Sequence, residues 1–148
     1  MKSILVATDG SETSNRAILK TKELAEGLGS KITIINVAND LIAHPYLMNR
    51  EYGVQTNKDL MKFGKEILKD SVKLLEGFEG TVETVIRSGE AGREIVDEAK
   101  SGDYDLIVMG SRGLGAFSRA MLGSVSNKVL HHVAKDILIV RWYFNEKL

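Results

Sequence analysis

Cysteine is missing from all 148 residues. That excludes a thiol nucleophile, a thiolate metal site and a disulfide framework, and it is the pattern expected of a cytoplasmic chain. An excess of either charge is missing too. The 20 lysines and arginines balance 20 aspartates and glutamates. No block of like charges stands out, so neither a nucleic-acid footprint nor an anionic-membrane surface is expected. No apolar run approaches the roughly 20 residues that span a bilayer, and the opening Lys2-Ser3-Ile4-Leu5-Val6-Ala7 is too short for a signal peptide. A soluble, unexported chain is expected. Proline occurs once, at Pro45, inside a stretch from Ala38 to about Gly53 that lacks periodicity and reads as a long loop.

The length suits one domain, 1–148, able to bury a core without cross-links. Ile4–Ala7 is a short apolar run ending in Thr8-Asp9-Gly10-Ser11, the pattern of a strand buried on both faces followed by a turn. Ser11, Thr13 or Ser14 can cap a helix in which Ala17, Thr21, Leu24, Ala25 and Leu28 recur at helical spacing until Gly29. Ile32–Val37 is a second buried strand. A long helix follows, with Leu60, Met61, Ile67, Leu68, Val72, Leu74 and Leu75 on its inner stripe and Lys58, Lys62, Lys65, Lys69 and Lys73 on its solvated face. Thr81–Arg87 alternates, as a strand near a sheet edge does. A short helix then carries Ile95, Val96 and Ala99, Asp105–Met109 is a fourth strand, a helix carries Val125, Val129 and Val133, and Ile137–Val140 is a fifth strand. Strands alternating with helices predict an α/β fold: a doubly wound open sheet of five mostly parallel strands with helices on both faces.

In such sheets ligands sit beyond the carboxyl ends of the strands, where successive crossovers part to opposite faces. The candidate loops are therefore Thr8-Asp9 after the first strand and Gly110–Ser124 after the fourth. In the second loop, two residues separate Gly110 from Gly113 and nine separate Gly113 from Gly123-Ser124. Glycines lacking a Cβ let backbone N–H groups approach a ligand oxygen. Gly123-Ser124 then opens a helix, whose unpaired N–H groups and positive dipole end favour phosphate. The hydroxyls of Ser124 and Ser126 could add donors. A plainer reading also holds for each residue singly: the glycines turn a surface loop, Ser124 caps a helix, and Asp9 initiates the Asp9-Gly10 turn. Neither a P-loop nor a dinucleotide fingerprint occurs. His131 and His132 are adjacent, about 100° apart on a helix, which is not the spacing of a metal pair and suggests surface or capping roles. No catalytic triad can be assembled around His44 or Ser118.

The strand Ile4-Leu5-Val6-Ala7-Thr8-Asp9-Gly10-Ser11 together with Gly110-x2-Gly113-x9-Gly123-Ser124 resembles the universal stress protein family, over nearly the whole chain. The second motif is similar to that family's ATP-binding signature. The resemblance implies a Rossmann-like, adenine nucleotide alpha hydrolase-like fold. It implies Ala7, Asp9 and Val37 around the adenine and ribose, and Met109, Gly110 and Gly113 under the ribose and phosphates. Gly123, Ser124 and Val125 would lie at the phosphates, with Thr8, Arg112 and Ser126 as additions. The implied ligand is ATP, ADP or AMP, with Mg2+ or Mn2+ held through the phosphates. Position 7 is alanine where some relatives have proline, and Ala134-Lys135-Asp136 replaces a proline-containing approach to the last strand. Trp142-Tyr143-Phe144 follows that strand, and Ile137–Arg141, as a free edge, can pair with its own copy in a homodimer. The functions expected are a nucleotide-dependent regulatory or stress-response protein, or, alternatively, a slow ATPase or autophosphorylating protein using Ser118, Ser124 or Ser126. A structural dimer with an empty loop ranks behind both.

Overall fold

Apolar strands that alternate with amphipathic helices have one economical arrangement, a parallel sheet with its helices laid on both faces. A computed structural model describes residues 1–39, 57–111 and 122–141 and shows that arrangement. Strands β1 (Ser3–Ala7), β2 (Lys31–Ala38), β3 (Val82–Ser88), β4 (Leu106–Gly110) and β5 (Asp136–Val140) alternate with helices α1 (Glu12–Leu28), α2 (Asn57–Lys73), α3 (Ala91–Ser101) and α4 (Ser124–His132). The strand order is β3-β2-β1-β4-β5, and all four pairings are parallel. β1 lies at the centre and is buried along its whole length. β3 and β5 form the edges and are only partly covered, as the alternation in β3 led us to expect.

Side chains of successive strand residues point to opposite faces, and the core divides accordingly. Ile4, Val6, Ile32, Ile34 and Val108 pack under α1 and α2, against Ala17, Ile18, Ala25 and Leu68. Leu5, Ala7, Ile35, Ile107 and Met109 pack under α3 and α4, against Ile95, Val96, Ala99 and Val129. Each fully buried aliphatic side chain contributes about 1.5–3 kcal/mol, so the two cores together hold the sheet in register.

Of the three candidate caps for α1, Ser11 is the one used. Its hydroxyl accepts from Ser14 N at 3.2 Å, while Thr13 and Ser14 lie inside the helix. Gly29 closes α1 in the left-handed region at φ 67. Two residues expected on inward stripes are instead solvated. Leu28 is 51% exposed, because the last turn of α1 runs on to Gly29 beyond the buried positions Ala17, Thr21 and Ala25. Val72 is 40% exposed; the buried line of α2 passes through Leu60, Leu68 and Ser71 and on to Leu75, and Val72 sits one position off it. All five lysines of α2 are exposed. Asp105 precedes β4 and does not belong to it. Its carboxylate accepts from Lys2 N at 2.6 Å and Ser3 N at 3.0 Å, and these bonds hold it below the usual carboxylate range. The expected loop from Ala38 to Gly53 falls almost wholly outside the described residues, and Trp142-Tyr143-Phe144 lies outside them as well.

At the far end of β3, Arg87 donates to Glu98 from Nε at 2.9 Å and to Glu94 from a terminal nitrogen at 3.4 Å. Tyr104 donates to the other Glu98 oxygen at 2.8 Å. Partial burial, reinforced by that carboxylate, pushes the Tyr104 hydroxyl up to about 12. The cluster fastens α3 to the sheet.

Gly64 lets α2 lie close to β2 and β3. A Cβ there would come within 2.6 Å of Asn36 Oδ1 and 2.7 Å of Ile86 Cδ1, and Asn36 is fixed by its own bond to Thr8 O at 2.9 Å. In a helix interior, alanine for glycine ordinarily gains about 1 kcal/mol. Here we expect Gly64→Ala to lose about 1–3 kcal/mol through overpacking. Urea unfolding of the two proteins checks the sign.

Candidate functional site

The centre of the sheet is where the two directions of winding meet. The chain leaves β1 into α1 on one face and leaves β4 towards α4 on the other. Two loops diverging from adjacent parallel strands leave a crevice between them at the carboxyl ends.

On the β1 side the backbone is tied down at every step. Thr8 N continues the ladder by donating to Ile35 O at 2.9 Å, and the buried Asn36 side chain donates to Thr8 O at 2.9 Å. The chain then turns through Gly10, whose φ of 82 is the left-handed conformation that favours glycine. Gly10 N donates to Thr8 Oγ1 at 3.1 Å and Ser11 N to Asp9 Oδ1 at 2.9 Å. The Thr8 and Ser14 hydroxyls share a hydrogen bond of 3.0 Å. Asp9 therefore does initiate the turn, and it remains half-buried at the mouth of the crevice. Thr8 is 5% exposed, so its hydroxyl serves the turn.

On the β4 side, Ser111 N donates to Val140 O at 2.8 Å and extends the pairing with β5 by one residue. Gly123 N donates to Ser111 O at 2.7 Å, so the chain positions flanking residues 112–121 are joined. Arg112 and Gly113 fall within that segment and lie outside the described residues. Gly123 is the N-cap of α4, with extended backbone and no side-chain cap bond, and the first turn carries no acidic residue. The helix start thus keeps its positive end uncompensated by any side chain of its own first turn.

Two further bonds fix where α4 begins. Ser126, 3% exposed, donates from Oγ to Gly110 O at 2.9 Å. Its proton is thereby committed, and of the two hydroxyls expected as donors only that of the exposed Ser124 is open to a ligand. Lys128, one turn further on, reaches Glu90 Oε2 at 2.9 Å. Glu90 in turn caps α3 by accepting from Gly92 N at 3.2 Å and Arg93 N at 2.9 Å. The Lys128 bond first, and those backbone donors after it, hold the Glu90 carboxyl below its ordinary range.

Ala7, Val37 and Met109 share one face of the sheet. Ala7 and Met109 belong to the core beneath α3 and α4, and Val37 is half-buried against it. Val125 is also half-buried there. The residues brought together are thus Ala7–Asp9, Met109–Gly110 and Gly123–Ser126, with Val37 one strand further out. Asn36 and Ser111 were missed by sequence reasoning, and Ser14 was read only as a possible cap of α1. A polar Asn36 within the apolar run Ile32–Val37 was the one available signal. His131 and His132 are exposed, and each donates from Nδ1 to the carbonyl four residues earlier, at 2.8 and 2.7 Å. Among the described residues no group of three or more His, Cys, Asp and Glu could hold a metal ion, and no described helix is long and apolar enough to cross a membrane.

The model of the universal stress protein family matches residues 1–141. Universal stress protein YxiE of Bacillus subtilis is 32% identical over 146 residues, covering 93% of this chain and 97% of that protein. A universal stress protein of Methanothermobacter thermautotrophicus is 34% identical over 143 residues, covering 95% of each. Among solved structures, the hypothetical protein MJ0577 superposes with a TM-score of 0.80 at 27% identity, over 98% of each chain. A universal stress protein in complex with cAMP gives 0.67 at 24% identity, over 94% of this chain and 95% of that one. An Arabidopsis thaliana family protein with AMP bound gives 0.68 at 21% identity, over 100% of this chain and 97% of that one.

The geometry separates the two serines of α4. Ser126→Ala strands the part-buried Gly110 carbonyl and should cost about 1–2 kcal/mol, lowering the thermal midpoint by about 2–8 °C. Ser124→Ala, at an exposed position, should stay within about 0.5 kcal/mol. Differential scanning calorimetry of both variants distinguishes them.

Proposed function

The chain belongs to the universal stress protein family, and we propose that it is a nucleotide-dependent regulatory protein that holds ATP, ADP or AMP in the crevice between β1 and β4. The observation that carries this reading is the start of α4. Its glycine cap lacks a side chain, its first turn lacks an acidic residue, and it is bonded to the end of β4 through Ser126. A helix start with those properties beside a switch point suits phosphate oxygens. The sequence Gly110-x2-Gly113-x9-Gly123-Ser124 supplies the rest of the cradle in this reading. Solved proteins of the same fold that hold AMP and cAMP add support.

In this assignment Ala7, Val37 and Met109 contact the adenine, Asp9 accepts from adenine or ribose, and Thr8 shapes the turn beneath them. Gly110, Arg112 and Gly113 approach the ribose and phosphates. The backbone N–H groups of Ser124, Val125 and Ser126 meet the terminal phosphates below Gly123, with the Ser124 hydroxyl as an added donor. A divalent Mg2+ or Mn2+ ion would bind through the phosphate oxygens and water, since magnesium needs few protein ligands. A difference in affinity for a partner between the nucleotide-bound and nucleotide-free forms is what would let that partner read the nucleotide state.

The regulatory reading extends to assembly. β5 is an edge strand whose Ile137, Leu138, Ile139 and Val140 are each only partly covered, and Leu130 on α4 is 44% exposed. A second copy pairing along Ile137–Arg141 would cover that edge. Sedimentation at micromolar concentration should then give twice the chain mass; the mass of a single chain would count against the dimer.

For the nucleotide, we expect protein purified without added nucleotide and then denatured to release an adenine nucleotide, and ATP with Mg2+ to bind near stoichiometrically by calorimetry. At a hundredfold excess over Kd, ligand stabilises by about 2.7 kcal/mol, or about 5–10 °C in thermal midpoint. Gly113→Val should abolish that shift and leave the unliganded midpoint unchanged. An unaltered ATP affinity in this variant would remove the glycine loop from the site.

A further inference from the structure

We propose that the groove between α2 and the outer edge of β3 docks an extended acidic segment of a partner protein, which joins the sheet as an additional strand. Thr81 O accepts from Ile32 N at 3.0 Å and Gly89 N donates to Ala38 O at 3.1 Å. In a parallel ladder alternate residues bond to the same neighbour, so the odd-numbered residues of β3 face β2. Val82, Thr84 and Ile86 then turn their N–H and C=O groups outward. β3 ends the sheet, and no described strand covers that side.

The outward-bonding Thr84 and Ile86 also line one wall of a groove of about 540 Å³, whose opposite wall is α2 with Leu68 and Val72. Val72 is 40% exposed on that wall. Lys65, Lys69 and Lys73 rim the groove. Lys73 lies 3.6 Å from Asp70, both exposed; Lys65 and Lys69 make no ion pair among the described residues. Glu66 and Asp70 do not line the groove; at about 100° per residue they fall further round the helix. The charge balance of the whole chain conceals this local excess of cations.

The occupant follows from spacing. The three lysines recur every fourth residue, about 6 Å apart along the helix axis. Side chains on one face of a strand recur every second residue, about 6.7 Å apart. A strand laid against β3 therefore presents its alternate side chains nearly in step with the lysines. Carboxylates on either side of an apolar side chain, about 13 Å apart, meet Lys65 and Lys73 at the two ends and share Lys69 between them, while the apolar side chain covers Val72 and Ile86. Main-chain bonds to Thr84 and Ile86 supply affinity, and the alternate side chains supply selection. The lining contains no aromatic ring on which a nucleic-acid base could stack. This site lies at the opposite edge of the sheet from β5 and does not depend on the nucleotide assignment.

The test uses the full chain and a fluorescein-labelled peptide of about ten residues that carries Glu, Val and Glu at alternate positions with Thr between them. Fluorescence anisotropy should show saturable binding, with amide shifts by NMR confined to α2 and β3. The exposed double variant K65E/K69E should weaken binding about tenfold or more. T84P removes an outward N–H and leaves the ladder to β2 intact, so it should weaken binding comparably with no change of charge. K65E/K69E keeps the test open if T84P does not fold. Absence of saturable binding would overturn the proposal. So would equal binding by a peptide of the same composition in block order or by single-stranded DNA of similar length, or retention of full affinity in a folded T84P.

Discussion

Parallel pairing of β1 with β2 on one side and β4 on the other is the constraint from which the rest of the molecule follows. A parallel partner requires a crossover, and a crossover requires a helix on one face of the sheet. With β1 central, the connection to β2 and the connection after β4 take opposite faces, and the two chain exits separate above the same pair of strands. The crevice is thus a consequence of strand order. The five residues of β1, Ser3 to Ala7, are all buried, with helices packed on both sides of the strand.

Around that crevice the protein fixes backbone rather than side chains. Asn36 holds Thr8 O, Ser126 holds Gly110 O, and Gly123 N holds Ser111 O. Each bond satisfies a main-chain group at a strand end, where the ladder would otherwise leave it unpaired. The result is a rigid frame at the helix start proposed to receive phosphate, without a group of metal-ligating side chains among the described residues. Such a frame suits the holding of a ligand that the proposed regulatory reading requires.

Most of the fold was legible because burial on both faces writes itself into sequence as short apolar runs. β1, β2 and β4 were recognisable from Ile4–Ala7, Ile32–Val37 and Asp105–Met109, and the alternation of β3 announced an edge. What escaped was tertiary in origin. Leu28 and Val72 fit a helical stripe yet stand in solvent, because periodicity records which residues share a helix face and not where the sheet beneath that face ends. Ser126 was read as a ligand donor because a hydroxyl at a helix start has two possible partners, and only the approach of Gly110 O decides between them. The lysines of α2 looked like an ordinary solvated face; their position along a free strand edge depends on pairing register, which no local pattern contains. Gly113 rests on the motif spacing and Arg112 on the family resemblance, and both lie outside the described residues.

The nucleotide assignment is tested most directly by recording amide resonances of the isotope-labelled protein while ATP and Mg2+ are added. The account predicts that Thr8, Asp9 and Gly10, Gly110 and Ser111, and Ser124 to Ser126 shift together and saturate, while Val82 to Ser88 at the far edge stay in place. Shifts that leave the β1 and β4 ends untouched, or that gather along β3, would contradict it.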